Sequence, residues 1–317
     1  MVHDIAIIGA GPAGIAAAVE SVILGMKDVI LFEKGDNHSM TIRKYYKDNK
    51  RVDKDWKGQT VELAGNIAFN DGTKESTLDL FDKMIDHHHI NALFNTEIDS
   101  VVKENHFLIK TTDGNLYEAQ NVVVAIGSMG KPNKPEYKIP PSIKQRVNFN
   151  LDHCGSGEDI LVVGGGNSAA EYAYYLGETN NVTLNYRRGS FSRLNPENET
   201  IVYQCVNAGK LHLKLGVDVT ELEGDKGRIK VHYSDGMVLE YDRIIYALGG
   251  VMPTDMLKKC GIEINDKGRP VCDEHFETAT PGLYVAGDVA IEIGGSIAAG
   301  LNHAYTIINH IHDRLQK

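Results

Sequence analysis

Apolar and polar positions follow the same order in two separate parts of the chain. Over residues 4–33, a short apolar run meets a glycine-rich turn, a helical stretch follows, and a second apolar run ends the segment. About 155 residues later, the same order returns over residues 159–186. A short apolar run bounded by glycine predicts a buried strand, so each segment predicts one βαβ unit. Two such units predict an α/β fold with two doubly wound, Rossmann-like nucleotide-binding domains.

The rest of the chain indicates how these domains are joined. Residues 127–142 contain four prolines, which is typical of an interdomain linker. A strand predicted at 283–286 and a helix predicted at 296–315 are too short to form a further domain, so we expect this tail to complete the first one. The apolar residues expected near one face of that helix are Ile297, Leu301, Ile308, Ile311 and Leu315. The predicted domains are 1–126 with 251–317, and 127–250.

Charge and cysteine usage narrow the function classes. The 317 residues include 33 basic and 43 acidic side chains, a net charge of −10, which argues against nucleic-acid or anionic-membrane binding. The four cysteines form no C-x-x-C pair or zinc-type spacing, and no apolar stretch is long enough to span a membrane. We therefore expect a reduced, cytoplasmic protein without a bound metal.

The first candidate site is the glycine-rich turn after the first predicted strand. Gly9 permits a tight turn, Gly11 lets the backbone approach a pyrophosphate, and Gly14 allows close helix packing. The helix that follows offers unpaired N–H groups to the phosphates. Glu33 ends the next predicted strand, where a carboxylate can bind ribose hydroxyls. This spacing predicts a dinucleotide site.

The second turn has the same spacing but a different strand end. Its motif is Gly164-x-Gly166-x-x-Ala169, and the strand after it ends in Arg187 and Arg188 without an acid. Arg193 follows shortly after. Arginines suit the 2′-phosphate of NADP because a planar guanidinium binds phosphate oxygens in pairs. An ordinary solvated basic turn is the alternative.

A third segment is a predicted strand that ends in Gly287-Asp288. The glycine permits close approach to a ligand, and the carboxylate can accept a hydrogen bond from a hydroxyl. Together the three segments resemble, over nearly the whole chain, the flavoproteins with two dinucleotide-binding domains, in particular the thioredoxin-reductase-like group.

That resemblance implies specific cofactor residues. Ala125-Ile126-Gly127 matches the family's Ala-Thr-Gly segment, and Asp288 matches the aspartate on the flavin ribityl chain. Ser296 and Ile297 match the start of the helix whose N-terminus faces the flavin. The implied FAD site contains Gly9, Gly11, Pro12, Ala13, Gly14, Glu33, Lys34, Tyr46, Ile98, Ala125, Ile126, Gly127, Gly287, Asp288, Ser296 and Ile297. The implied NADPH site contains Gly164, Gly166, Asn167, Ser168, Ala169, Glu171, Arg187, Arg188 and Arg193.

The departures from that family bear on the electron acceptor. Thioredoxin reductases carry a C-x-x-C pair just before the second glycine motif, where this chain has only Cys154. Bacillithiol-disulfide reductases carry a cysteine in the first glycine turn, where this chain has Ala13. What remains resembles the NADPH-dependent flavodoxin, quinone or ferredoxin reductases, whose segments this chain shares as HSMTIRKYYKDNKRVDKDWKG and GGGNSAAEYA.

The sequence therefore predicts an FAD enzyme that takes a hydride from NADPH and passes electrons to flavodoxin, ferredoxin or a quinone, as a homodimer. The flavin carries the chemistry, so no side chain is required as acid, base or nucleophile. The alternatives are a reductase of low-molecular-weight disulfides that uses Cys154 and a sensor that binds both nucleotides without turnover.

Several single residues stay open. Glu171 orients the nicotinamide or is a solvated helix carboxylate, and Cys154 is reactive or idle. His303 approaches the flavin or the partner subunit, or it is a packed histidine of its helix. The aromatic residue on the flavin is one of Tyr45, Tyr46 and Trp56, or these side chains pack in the core. Residues 43–57 hold seven basic and three acidic side chains, which predicts a docking patch for an acidic carrier or a solvated loop. Residues 87–89 are three histidines that we expect at an exposed helix end.

Overall fold

A computed structural model describes residues 1–55, 60–130, 132–225, 227–291 and 295–316. The strands are β1 Val2–Ile8, β2 Val29–Phe32, β3 Arg51–Val52, β4 Gly72–Thr73, β5 Asn91–Leu93, β6 Ile98–Lys103, β7 Phe107–Thr111, β8 Leu116–Val124, β9 Val147–Asn148, β10 Asp159–Val163, β11 Asn181–Tyr186, β12 His212–Leu215, β13 Val219–Asp225, β14 Arg228–Tyr233, β15 Val238–Tyr241, β16 Arg243–Tyr246 and β17 Leu283–Val285. The α-helices are α1 Pro12–Ile23, α2 Met40–Tyr45, α3 Lys74–His87, α4 Asn167–Leu176, α5 Pro196–Asn207, α6 Thr254–Lys259 and α7 Ile297–Leu315. Short 3-10 helices cover Pro141–Arg146 and Gly287–Val289.

The chain forms two compact units. One contains Met1–Lys131 and Met252–Lys317, and the other contains Pro132–Val251. The first boundary falls five residues after the one expected at 126/127. The segment that follows the end of β8 thus belongs with the strands of the first unit rather than with the linker.

The first unit is built on a mixed sheet in the order β5-β2-β1-β8-β7-β6, with β17 beside the second half of β8. Strands β5, β2, β1, β8 and β17 run parallel, whereas β7 pairs antiparallel with both β6 and β8. Parallel strands end at one edge of a sheet, so the residues that follow β1, β2, β8 and β17 lie at that common edge.

Alternation along β1 shows how the sheet is covered on both faces. Ile5 and Ile7 pack into a core with α1, α3 and α7, while Ala6 and Ile8 pack into a second core on the opposite face. A strand buried on both faces reads as a continuous apolar run, which is why residues 4–8 predicted it correctly.

The second unit repeats this design at a smaller size. Its parallel sheet has the order β12-β11-β10-β16-β9, and an antiparallel sheet of β13, β14 and β15 lies beside it. Ile160 and Val162 pack with α4 in one core, and Leu161 and Val163 pack with the antiparallel strands in the other. Both glycine-rich βαβ units predicted from the sequence are present.

Helix α7 agrees with the predicted helix except at its end. Leu301, Ile308 and Ile311 are buried, and Ile297 packs against the same core. Leu315, in the last turn of the helix, is 51% exposed. Across the described residues, no helix is both long and apolar enough to cross a membrane.

Candidate functional site: two glycine-rich turns after parallel strands

Main-chain hydrogen bonds bring the strand ends of the first unit together. The amide of Gly9 donates to the carbonyl of Phe32 at 2.7 Å, and the amide of Ala125 donates to the carbonyl of Ile8 at 2.8 Å. The amide of Ala286 donates to the carbonyl of Val124 at 3.0 Å. The three sequence-predicted segments of the FAD site are therefore neighbours at one sheet edge.

The glycines of the first turn differ in what surrounds them. A Cβ atom on Gly14 would lie 1.9 Å from the carbonyl oxygen of Gly9, and one on Gly9 would lie 2.6 Å from the carbonyl oxygen of Ala125. Gly9 also has a φ of +105°. A Cβ on Gly11, by contrast, would meet no protein atom within 4 Å. Gly9 and Gly14 are required by the protein itself, whereas the space beside Gly11 is open, as a cofactor pyrophosphate needs.

Glu33 lies next to this turn. Its Oε2 accepts a hydrogen bond from the amide of Ala10 at 2.9 Å, and its Oε1 accepts one from the amide of Gly35 at 2.8 Å. Glu33 is buried, and Lys34 beside it is exposed. Each carboxylate oxygen can accept a further bond, so the fixed carboxylate is suited to bind ribose hydroxyls.

The segment after β17 contributes a second carboxylate. Gly287 has a φ of +76°, and a Cβ there would lie 2.9 Å from the Cβ of Ala13. A Cβ on Gly295 would lie 1.9 Å from Oδ1 of Asp288, so glycine at that position leaves room for the carboxylate. Asp288 is exposed, so its carboxylate is accessible to a ligand.

Helix α7 begins beside Asp288. The Ser296 hydroxyl oxygen accepts a hydrogen bond from the amide of Ala299 at 3.1 Å and caps the helix. This is the N-terminus that we expect to face the flavin. The positive end of a helix stabilises negative charge placed there.

Other members of the predicted FAD set have different surroundings. Ile126 and Gly127 are half-buried at the sheet edge. Ile98 is buried in the core at the start of β6, so only its backbone is available to a ligand. Tyr46 packs against the core, and the Lys50 ammonium lies 4.1 Å from its ring centroid. Trp56 lies outside the described residues, so its expected place on the flavin stays a prediction.

Sequence reasoning missed the residues that hold the segment 60–66. Buried Glu20 on α1 accepts hydrogen bonds from both the backbone amide and the side-chain amide of Asn66, each at 2.7 Å. Asn302 on α7 accepts from the amide of Ala64 at 2.9 Å and donates to the carbonyl of Glu62 at 2.8 Å. The sequence signal that could have revealed these contacts is Glu20, a charged residue on the apolar side of α1.

These contacts predict a local effect of one substitution. In Glu20→Ala we expect the amide of Asn66 to exchange its hydrogen at least ~10-fold faster, because a hydrogen bond to a charged group contributes about 1.5–3 kcal/mol. Hydrogen-exchange mass spectrometry of peptides over 60–67 measures this. The amide of Ala64, held by Asn302, is the internal control, and Glu20→Gln keeps one acceptor and is expected to show a smaller change. Unchanged exchange at Asn66 in Glu20→Ala would contradict the assignment.

The second unit places its glycine turn in the same way. A Cβ on Gly164 would lie 2.5 Å from the carbonyl oxygen of Ala247 and 2.9 Å from the Cβ of Ala169. A Cβ on Gly166 would meet nothing within 4 Å. Asn167 and Ser168 start α4, whose N-terminus points its free N–H groups at this open space. The arrangement fits a second dinucleotide.

The arginines stand beside this turn. Arg187, Arg188 and Arg193 are exposed, and the backbone of Arg193 pairs with that of Gly166 in an isolated parallel bridge. Arg188 donates to the hydroxyl of Ser192 at 3.3 Å. The three guanidinium groups are accessible to a ligand, and their role at the 2′-phosphate of NADPH stays a prediction.

Glu171 on α4 is almost fully buried. It is 9% exposed, and its Oε1 accepts a hydrogen bond from the Asn198 amide of α5 at 3.3 Å. The solvated alternative is therefore wrong, because α5 covers this side of α4. A role at the nicotinamide stays a proposal.

The two remaining single residues are held by packing. Burial raises the pKa of the Cys154 thiol to about 11, which keeps it protonated near neutral pH. The His303 ring stacks on Phe276 with ring centroids 4.0 Å apart, and burial lowers the His303 pKa to about 4. The packed reading of His303 thus agrees with the structure.

The basic segment 43–57 is less positive than its own sequence suggests. Arg43 lies 3.4 Å from a carboxylate oxygen of Asp82, and Arg51 lies 3.9 Å from one of Asp71. Lys54 lies 3.9 Å from Asp55. Two acids outside the segment therefore offset part of its charge, which counting residues 43–57 alone cannot show. Lys57 lies outside the described residues.

The histidines at 87–89 end α3, as expected. His87 is the last helical residue and His88 caps the helix, with the two rings 4.9 Å apart. In the described ranges, no cluster of three or more His, Cys, Asp or Glu side chains is placed to hold a metal ion.

The fold and both glycine turns define a nucleotide-dependent oxidoreductase. The family model for pyridine nucleotide-disulphide oxidoreductases matches residues 6–287. The chain belongs to this family, and it is an FAD-dependent oxidoreductase that uses NADPH.

Similar proteins carry more specific names. A ferredoxin–NADP reductase of Nitrobacter hamburgensis is 28% identical over 302 residues, which cover 90% of this chain and 83% of that protein. A ferredoxin–NADP reductase of Lactobacillus delbrueckii subsp. bulgaricus is 26% identical over 292 residues, 89% of this chain and 86% of that protein. The resemblance to thioredoxin-reductase-like flavoproteins predicted from the sequence is confirmed.

Two solved structures show the same fold. The bacillithiol disulfide reductase from Bacillus cereus has a TM-score of 0.83 at 24% identity and covers 99% of this chain and 100% of its own. The thioredoxin reductase from T. acidophilum has a TM-score of 0.79 at 22% identity and covers 99% of both chains. The predicted fold class is therefore confirmed.

Proposed function

We propose that this protein transfers electrons from NADPH to a small one-electron carrier, ferredoxin or flavodoxin. When bound, FAD accepts a hydride from NADPH and releases the two electrons one at a time. The ferredoxin–NADP reductase names of the similar proteins support a ferredoxin-type acceptor.

One observation carries the choice of a carrier over a disulfide. The chain has four cysteines, and all of them are free thiols in the structure. Cys154, the one nearest the second glycine motif in sequence, has a raised pKa because it is partly buried. A thiol relay needs a thiolate and a partner sulfur, and Cys154 offers neither at neutral pH.

The protein's own residues bind and orient the cofactors in this proposal. Gly11 and the N-terminus of α1 hold the pyrophosphate of FAD, Glu33 holds its ribose, and Asp288 holds the ribityl hydroxyls. The N-terminus of α7 stabilises negative charge on the reduced ring. Gly166 and α4 hold the pyrophosphate of NADPH, and the exposed arginines hold its 2′-phosphate.

The direct test is the rate of reoxidation of the reduced enzyme. Protein reduced with NADPH is mixed in a stopped-flow instrument with ferredoxin, flavodoxin, a quinone or bacillithiol disulfide, and the flavin absorbance is followed. We expect ferredoxin or flavodoxin to reoxidise it at least ~10-fold faster than the disulfide. Faster reoxidation by the disulfide would overturn the proposal.

Reduction of a low-molecular-weight disulfide is the second candidate, favoured by the fold similarity to bacillithiol disulfide reductase. The thiol chemistry separates the two. In the carrier proposal, Cys154→Ser is expected to change the rate of carrier reduction by less than about twofold, as surface and idle positions do. A loss of more than ~10-fold would instead assign Cys154 to the reaction.

The raised pKa of Cys154 predicts how its alkylation depends on pH. Only the thiolate reacts with iodoacetamide, so its rate of alkylation should rise about 10-fold per pH unit from pH 7 up to about 11. Mass spectrometry of the Cys154 peptide after timed alkylation measures this. A plateau at or below the ordinary thiol pKa of about 8.5 would contradict the raised pKa of Cys154.

The proposal also includes a docking surface for the carrier and an oligomeric state. The basic segment 43–57 docks the acidic carrier, although Asp71 and Asp82 offset part of its positive charge. The enzyme works as a cytoplasmic homodimer. A nucleotide sensor without turnover is the remaining alternative, and NADPH-dependent reduction of ferricyanide would exclude it.

A further inference from the structure

The loop that carries the three arginines is held by an aromatic stack. The ring of Tyr186 lies over Gly165, where a Cβ would come within 2.2–2.3 Å of the ring carbons. The ring of Phe191 stacks on Tyr186 at 5.8 Å between centroids and 4° between planes. Tyr203 on α5 meets Phe191 edge-on at 6.5 Å and 73°.

This aromatic stack connects the glycine turn 164–166 with the arginine loop 187–193, which are the two parts of the proposed coenzyme site. Gly165 lies inside the glycine turn, between the tight Gly164 and the open Gly166, whereas Phe191 lies in the middle of the loop 187–193. Tyr186 is buried between them. Any movement of the loop away from the glycine turn must therefore separate the Tyr186 and Phe191 rings.

Polar contacts fix the far end of the same loop. The backbone of Arg193 bridges to that of Gly166, and the amide of Asn195 donates to Oδ1 of Asn167 at 2.8 Å. The loop is thus attached at its start by Tyr186, in the middle by Phe191 and at its end by Arg193 and Asn195. The arginine side chains themselves stay exposed.

We propose that Phe191 is a positioning residue for coenzyme specificity: its ring, stacked on Tyr186, holds Arg187 and Arg188 in place for the 2′-phosphate. This rests on the role given above to the arginines. If the 2′-phosphate binds only when the loop is ordered, the apparent affinity for NADPH falls as the ordered fraction of the loop falls. The close packing of Gly164 against Ala247 and Ala169 does not involve Phe191, so we expect binding of the pyrophosphate to be spared.

The test is Phe191→Ala with ferricyanide as acceptor, so that the natural carrier is not needed. We expect the KM for NADPH to rise about tenfold, the KM for NADH to change by less than twofold, and kcat to stay within twofold for both. Inhibition by 2′,5′-ADP should weaken about tenfold, and inhibition by 5′-AMP should not. Phe191→Tyr keeps the ring and is expected to restore the affinity for NADPH.

Phe149→Ala is the matched control. Phe149 is a half-buried phenylalanine of the same unit, and its ring stacks on Tyr246 at 5.7 Å and 30°. Its loss is expected to lower the melting temperature as Phe191→Ala does, without changing the ratio of the two KM values. If Phe191→Ala also leaves that ratio unchanged, or raises both KM values equally, the stack is purely structural and the inference falls.

Arg187→Ala/Arg188→Ala is measured alongside to separate this inference from the proposed function. If the arginine variant loses its preference for NADPH but Phe191→Ala keeps it, only the positioning role of Phe191 is wrong. If the arginine variant keeps the preference, the 2′-phosphate role itself is wrong.

Discussion

Gly11→Ala is expected to purify as a folded but colourless protein. The Cβ of alanine would meet no protein atom within 4 Å, so the substitution fills only space that we assign to the FAD pyrophosphate. Hydrogen bonds to charged groups contribute about 1.5–3 kcal/mol each, and loss of the close backbone approach should weaken FAD binding ~100-fold or more. The measurements are the flavin absorbance of the purified protein and a fluorescence titration of the apoprotein with FAD.

Stability distinguishes this effect from misfolding. Glycine and alanine at a helix N-cap differ modestly, so we expect the melting temperature of apo Gly11→Ala to correspond to a loss of less than about 1 kcal/mol. Gly14→Ala, whose Cβ would lie 1.9 Å from a backbone oxygen, is expected to destabilise the unit strongly instead. Unchanged FAD affinity in folded Gly11→Ala would show that the open space is not the cofactor site.

Gly166→Ala is the reciprocal control in the second unit. Its Cβ also meets nothing within 4 Å, so the variant should fold, stay yellow and lose affinity for NADPH and NADH alike, since both share the pyrophosphate. Loss of FAD alone in Gly11→Ala, together with loss of NADPH and NADH binding alone in Gly166→Ala, would assign each turn to its own nucleotide.

Replacing Arg187 and Arg188 together by alanine is expected to raise the KM for NADPH by about 10- to 150-fold and to leave that for NADH nearly unchanged. The range corresponds to one lost charge-assisted interaction of about 1.5–3 kcal/mol. Both arginines are exposed, so their removal leaves no buried group unpaired. Steady-state kinetics with ferricyanide and each coenzyme measure the effect.

Lys144→Ala serves as the control for loss of positive charge, since Lys144 is an exposed basic residue of the same unit. It should change neither KM by more than about twofold. An equal rise for NADPH and NADH in the arginine variant would mean that the arginines support the fold of the turn and do not read the 2′-phosphate.

Both βαβ units, both glycine turns and the extent of the last helix are predictable from the amino-acid sequence alone. The strands follow from a local rule, since a strand buried on both faces is a continuous apolar run. The turns follow from the spacing of their glycines. Glu33, Asp288 and the arginines stand at or just after the ends of predicted strands in the sequence. The ends of parallel strands lie at one edge of a sheet, so their common location could also be predicted.

What each of these residues contacts depends on the tertiary structure. It separated the glycines that the protein requires from Gly11 and Gly166, which face open space. It covered Glu171 with α5 and set Asp71 and Asp82 against the basic segment. The physical reason is distance along the chain: Asn302 bonds to Glu62 across 240 positions, and Asn198 reaches Glu171 across 27, so no local pattern of apolar and polar residues could reveal either contact.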